Sequence, residues 1–159
     1  MLRIALPVLA GCAAAILSTS AQAQAFDARR CSAIRNVEVP YDIAAEGQTI
    51  VFTRGQERIT VSDRAIVVGG ARLDDPVLAG RYAASLRGFM ANSRRLPLVS
   101  AAFGQSAGLD RDRARAETPG FLGALKDMCQ SLLEVSDIQA RVARAFPAFT
   151  APIRVTLAK

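Results

Sequence analysis

From Asn36 to Val68 the chain alternates between apolar and polar residues in short runs: Val37, Val39, Tyr41 and Ile43, then Ile50 and Phe52, then Ile59 and Val61, then Ile66 and Val68. A period of two places one side of each run on a core and the other in water, the pattern of half-buried strands. The runs are broken at Glu46-Gly47-Gln48, Arg54-Gly55-Gln56 and Val68-Gly69-Gly70, each with a glycine able to take the positive φ of a tight hairpin. An antiparallel meander of three or four strands follows. Its outer face carries Arg54, Glu57, Arg58 and Thr60.

The period changes at Asp74-Asp75-Pro76, an acidic cap followed by a proline suited to the first helical turn. Leu78, Tyr82, Leu86 and Phe89 then recur at helical spacing, which predicts an amphipathic helix from Asp75 to about Ser93, ending at Arg94 and Arg95. Pro97, Gly104 and Gly108 interrupt the stretch 96–118, which reads as a loop or a short helix. Thr118-Pro119 repeats the cap and proline, and Phe121, Leu125, Met128, Leu132 and Val135 trace a buried stripe over a second helix, Pro119 to Phe146. Ser136 with Gln139 has the form of a capping box and predicts a restart there. The tail from Ala151 to Leu157 alternates again and reads as an edge strand, where Pro152 is tolerated. The predicted class is α+β: a small meander of three or four strands packed against two to three helices.

The first 25 residues follow another logic. Arg3, the apolar run Ile4–Leu17, and the small residues Ala21-Gln22-Ala23 and Ala23-Gln24-Ala25 make up the charged end, greasy centre and cleavage site of a secretory signal peptide. Cleavage after Ala23 or Ala25 leaves one exported domain over about residues 26–159. Leu9-Ala10-Gly11-Cys12 also has the form of a lipobox, in which Cys12 would carry lipid. The apolar residues continue past Cys12, where a lipoprotein turns polar, so soluble periplasmic export is the preferred reading. The run is too short, and holds Pro7, for a membrane-crossing anchor.

Export places Cys31 and Cys129, the two cysteines beyond the leader, in an oxidising space and predicts one disulfide between them. The alternative is two free thiols, and the chain has no histidine to activate either. The same lack weakens the sharpest catalytic motif, Gly104-Gln105-Ser106-Ala107-Gly108, which matches a hydrolase nucleophile elbow: Ser106 has no histidine base. Asp110 and Asp112 lack the glycine and terminal glutamate of a calcium loop, and Asp74, Asp75, Glu46 and Glu57 have no spacing that marks a carboxylate pair. No catalytic residue, metal site or cofactor is predicted.

The net charge of +6 comes almost entirely from arginine, since Lys126 and Lys159 are the only lysines. Nucleic acid is a poor partner for an exported chain with 2 tyrosines and no tryptophan. Arg111 with Arg115, and Arg141 with Arg144, share helical faces that would suit an anionic membrane surface, or equally a solvated face.

Two stretches carry a family likeness. Val37–Phe89, with Val67-Val68-Gly69-Gly70-Ala71-Arg72-Leu73 and Arg81-Tyr82-Ala83-Ala84-Ser85-Leu86-Arg87, resembles the N-terminal part of the YggN-like family of uncharacterised exported proteobacterial proteins. Ala124-Leu125-Lys126-Asp127-Met128-Cys129 through Ser136-Asp137 is similar to that family's C-terminal segment, and Cys31 matches its cysteine just after the signal peptide. The resemblance implies export and a disulfide, with the family's helical middle shortened here to about 96–118, and it implies no activity or cofactor. The functional expectation is a non-catalytic periplasmic protein that binds another protein or an envelope component. The alternatives are a lipidated or membrane-proximal module using the arginine faces and, last, a serine hydrolase at Ser106.

Overall fold

The computed structural model describes residues 27–109 and 111–158, with the backbone alone described at 99, 101–109, 111, 113 and 114. The stretch 1–25 read as a leader, with Cys12, Ala23 and Ala25, lies outside the described residues, as do the side chains of Ser106 and Arg111. The chain runs through helix α1 (Ala28–Ser32), strands β1 (Ile34–Glu38), β2 (Asp42–Glu46), β3 (Thr49–Arg54), β4 (Glu57–Val61), β5 (Ile66–Val68) and β6 (Ala71–Leu73), helices α2 (Pro76–Leu109) and α3 (Arg111–Ala145), and strand β7 (Arg154–Leu157). The fold is α+β, with strands packed against helices.

Strands β2 to β6 form one antiparallel sheet in chain order, a five-stranded meander where three or four strands were expected. Three of its turns are two-residue loops, between the pairs Glu46↔Thr49, Arg54↔Glu57 and Val68↔Ala71. Gly47 and Gly55 have φ of +63° and +58° and are each followed by a glutamine at negative φ, the signs of a type II′ turn, whereas Gly69 and Gly70 are both positive, the signs of type I′. The run from Val37 to Ile43 is not one strand. Pro40 has no N–H to give to a ladder, so the run splits there. Val37 falls in β1, which pairs instead with the tail strand β7 through Val37↔Val155.

Both helices are longer than their local signals predicted. The cap at Asp75 is formed, its carboxylate accepting the Leu78 N–H at 2.9 Å, but α2 passes Ser93 and Pro97 and ends at Leu109. A proline inside a helix loses the bond to the carbonyl four residues back and crowds that carbonyl with its ring, but α3 runs alongside and packs against α2: Asn92 donates to Ser131 Oγ at 2.6 Å, and Arg95 pairs with Asp127 at 3.0 Å. Likewise α3 begins at Arg111, ahead of Pro119, and does not restart at Ser136. Gln139, read as part of a capping box, is instead 2% exposed and turned into the core.

The core lies between the sheet and the helices. Ile50, Phe52, Ile59, Val61 and Ile66 face Ala79, Tyr82, Ala83, Leu86 and Phe89 of α2 and Val135, Ile138 and Val142 of α3, with Phe146, Phe149 and Ile153 closing one end. Along α3 the inward line is Ala124, Met128, Ser131, Val135, Ile138 and Val142, a coiled-coil spacing of fours and threes with small residues at two positions. The predicted stripe shares Met128 and Val135 with this line and includes the buried Leu132, but Phe121 is half-buried and Leu125 is exposed. Among the described residues no side chain beyond Phe89 on α2, or before Ala124 on α3, is buried. At 1.5 Å per residue the helical pair therefore continues roughly 20 to 30 Å past the packed body. No helix among the described residues is long and apolar enough to cross a membrane.

Both tyrosines of the chain are buried in this body. Burial pushes the Tyr82 phenol well above its ordinary range; burial and the hydrogen bond to Glu57 push Tyr41 up. The folded state favours the neutral phenols. It thus keeps their contribution below about pH 10, where free tyrosine ionises, and loses it as pH rises further. In an alkaline titration the phenolate absorbance is expected to stay flat through the normal tyrosine range and to rise together with loss of helical circular dichroism. A normal titration at intact helicity would refute the burial.

Candidate functional site

The two cysteines meet at the junction of α1 with the middle of α3. Asp27 caps α1, its carboxylate accepting the Arg30 N–H at 2.9 Å, which fixes the helix that presents Cys31. Cys31 and Cys129 form a disulfide with their Cα atoms 5.8 Å apart. Next to it Arg30 grips Asp137 through both terminal nitrogens, at 2.8 and 2.7 Å, a two-pronged pair between residues 107 apart in sequence.

The Arg30 guanidinium, with a smaller effect of Arg141, holds the Asp137 carboxyl below its usual range. A depressed carboxylate stabilises the fold above its unfolded value, near pH 4, and loses that contribution as pH falls through the folded value. The pair is half exposed, with side chains at 39% and 52%, so its worth is at most about 1 kcal/mol. Asp137→Asn is expected to flatten the dependence of stability on pH below 4 by that small amount, as read by urea midpoints across a pH series. An unchanged slope would contradict the pairing.

Below the disulfide the same side of α3 continues as Leu122, Leu125 and Lys126, spaced seven, four and three residues from Cys129 and so on one helical face. These residues and Cys31 border a shallow, largely apolar cleft of about 490 Å³, with Leu122 56% and Leu125 41% exposed. Leu98 on α2 is 73% exposed. Solvent-facing Leu122 and Leu125 in this concavity are the part of the surface suited to contact another apolar surface.

A second concavity, about 230 Å³, opens beside Tyr41 between the β3–β4 hairpin and the segment after α3. Tyr41 donates to Glu57 at 2.8 Å, Arg54 donates to the same carboxylate oxygen at 2.7 Å, and the Arg54 guanidinium stacks 4.6 Å from the Tyr41 ring centre. The phenol and the guanidinium together hold Glu57 below its usual range. A carboxylate so engaged is a poor proton acceptor, and the cluster reads as a closed structural knot at the β3–β4 hairpin.

The arginines singled out in the sequence do not form one surface. Arg115 lies in the first turns of α3, Arg141 and Arg144 in its last, all exposed, and about 26 residues of helix put some 40 Å between the two groups. Arg141 also senses Asp137. Among the described residues there is no group of three His, Cys, Asp or Glu placed to hold a metal ion, and every buried side-chain polar atom has a partner.

Sequence reasoning missed the Arg30–Asp137 grip, the Tyr41–Arg54–Glu57 knot and the apolar face at Leu122. The first two join residues with no local pattern. The third was legible in principle as a second apolar line through Leu122, Leu125 and Cys129, hidden by the stronger one beside it. Compared with protein-family models, curated proteins and solved structures, the chain matches none.

Proposed function

We propose that this chain is an exported, non-catalytic binding protein of the bacterial periplasm, delivered by a leader over residues 1–25 and engaging another protein or an envelope component. The observation that carries the reading is the Cys31–Cys129 disulfide, a bond that persists in oxidising compartments and is rare in the cytosol. The exposed leucines beside it support a binding role. We further read the chain as a shortened relative of the YggN-like family, on the strength of Val37–Phe89 and Ala124–Asp137 alone.

The test is photocrosslinking in intact cells, with a benzophenone amino acid placed at Leu122, at Leu125 and, as a control, at exposed Arg81. A discrete adduct from Leu122 or Leu125 and none from Arg81 is the expected result. Adducts absent from every position, or a protein found only in the cytosolic fraction, would overturn the reading.

A further inference from the structure

The two edges of the five-stranded sheet differ. Strand β6 is 3 residues long and runs directly into Asp74-Asp75-Pro76 and α2. Strand β2 is 5 residues long, has the uncharged centre Ile43-Ala44-Ala45, and among the described residues pairs with β3 alone. Natural sheets blunt such an edge with proline, lysine or a bulge, and β2 carries none of these.

The register says which backbone groups are open. In a two-residue hairpin the residues flanking the loop, here Glu46 and Thr49, exchange both hydrogen bonds, and such pairs alternate with non-bonded ones along the ladder. Ala44↔Val51 and Asp42↔Thr53 are therefore bonded, and Ile43 and Ala45 turn their N–H and C=O groups outward. A strand laid along β2 would find four main-chain partners there.

A groove of about 170 Å³ runs between this edge and α2, with Ala45, Ile50, Met90 and Ala91 as its apolar lining and Arg87 and Arg94 on its rim. Arg87 is held in place by Asp63 at 2.7 Å and reaches the Gln48 carbonyl at 3.4 Å. Arg94 is exposed and has no ion-pair partner among the described residues. The acidic ends of β2 do not cancel this charge: Glu46 is engaged by Arg58 at 3.1 Å, and Asp42 sits at the far end of the strand. An unpaired strand edge, a side-chain-sized apolar groove and an unpaired cation at one end make up the geometry of recognition by strand addition.

We propose that the groove between β2 and α2 binds an extended segment of another protein, which adds as a sixth strand along β2, places an apolar side chain against Ile50 and Met90, and sets a carboxylate on Arg94. This rests on the reading of the chain as a binding protein and gives that reading a second, distinct surface. Random peptides displayed on phage are selected on the disulfide-bonded protein, and the enriched sequences are synthesised and titrated by fluorescence anisotropy. The expected peptides pair an apolar residue with Asp or Glu. Their binding weakens about tenfold or more with Ala45→Pro, which removes an outward N–H while sparing the β3 ladder, and with Arg94→Glu, an exposed change that leaves the core untouched. Changing the peptide's acid to its amide should weaken binding to the wild type and not to Arg94→Glu, and the Ile43 and Ala45 amides should become protected from exchange. Enriched peptides that bind both variants like the wild type would sink the groove and leave the binding reading standing. Failure to enrich any peptide, or a dimer of this chain abolished by Ala45→Pro, would overturn the proposal, and the crosslinking at Leu122 judges the broader reading separately.

Discussion

Replacing both cysteines, Cys31→Ala with Cys129→Ala, is expected to lower the free energy of unfolding by roughly 4 kcal/mol. The bridge joins residues 98 apart, and closing so long a loop removes much of the freedom of the unfolded chain, about 4 to 5 kcal/mol in the chain-entropy account. Domains of this size hold about 5 to 15 kcal/mol in total, so the loss decides whether the fold persists at growth temperature. Little else ties α1 to the body: its described links are the half-exposed Arg30–Asp137 pair and the bond from the Ala158 N–H to the Ala33 carbonyl at 2.7 Å. Urea unfolding of the oxidised protein and the double variant measures the difference. Coincident midpoints would show that the bridge contributes nothing.

Gln139→Ala is expected to cost about 3 to 5 kcal/mol, far more than an average surface change. The Gln139 side chain lies wholly inside, its amide nitrogen donating to the Ile153 carbonyl at 2.7 Å and its oxygen accepting the Ile153 N–H and the Tyr82 hydroxyl, both at 3.1 Å. Truncation leaves three buried polar groups without partners, each costing about 1 to 3 kcal/mol, partly relieved if water enters. It also loosens Ile153, which leads into β7. Tyr82→Phe removes only one donor, and the Gln139 oxygen keeps its other partner, so about 1 kcal/mol or less is expected. The contrast is the check: thermal melts in which both variants lose equal stability would mean that Gln139 does not bridge α3 to the tail.

The strands could be read because their signal is local. Alternation shows which residues face the core, and Gly47, Gly55 and Gly69-Gly70 mark turns by a backbone need that few other residues meet. The start of α2 at Asp75-Pro76 and the end of α3 beside Phe146 were legible too, but the facing ends, past Ser93 and ahead of Pro119, were not, because they were settled by the neighbouring helix. Pro97 and Pro119 are breakers by their own chemistry, yet α2 and α3 lie along each other and continue through both. Ser136 and Gln139 show the same competition: the capping pattern is there, but Val135 and Ile138 on either side are buried in one uninterrupted face, and Gln139 is drawn inward. Hydropathy found Met128, Leu132 and Val135 on the inner side of α3 but took Leu125 for a core residue and passed over Ala124 and Ser131, which are small enough for close helix contact but not strongly apolar. Of the sites, the cysteine pair was readable from its being the only pair beyond the leader. The edge of β2 became visible only once its register with β3 was known.

The account turns on a processed chain folded outside the cytosol and closed by one sulfur bridge. Intact-mass spectrometry of the protein purified from its own cells, before and after reduction and alkylation, tests this directly. The expected masses begin at Gln24 or Phe26, are two hydrogens below the sum for free thiols, and take up two alkyl groups only after reduction. A mass for all 159 residues that is alkylated without reduction would contradict it.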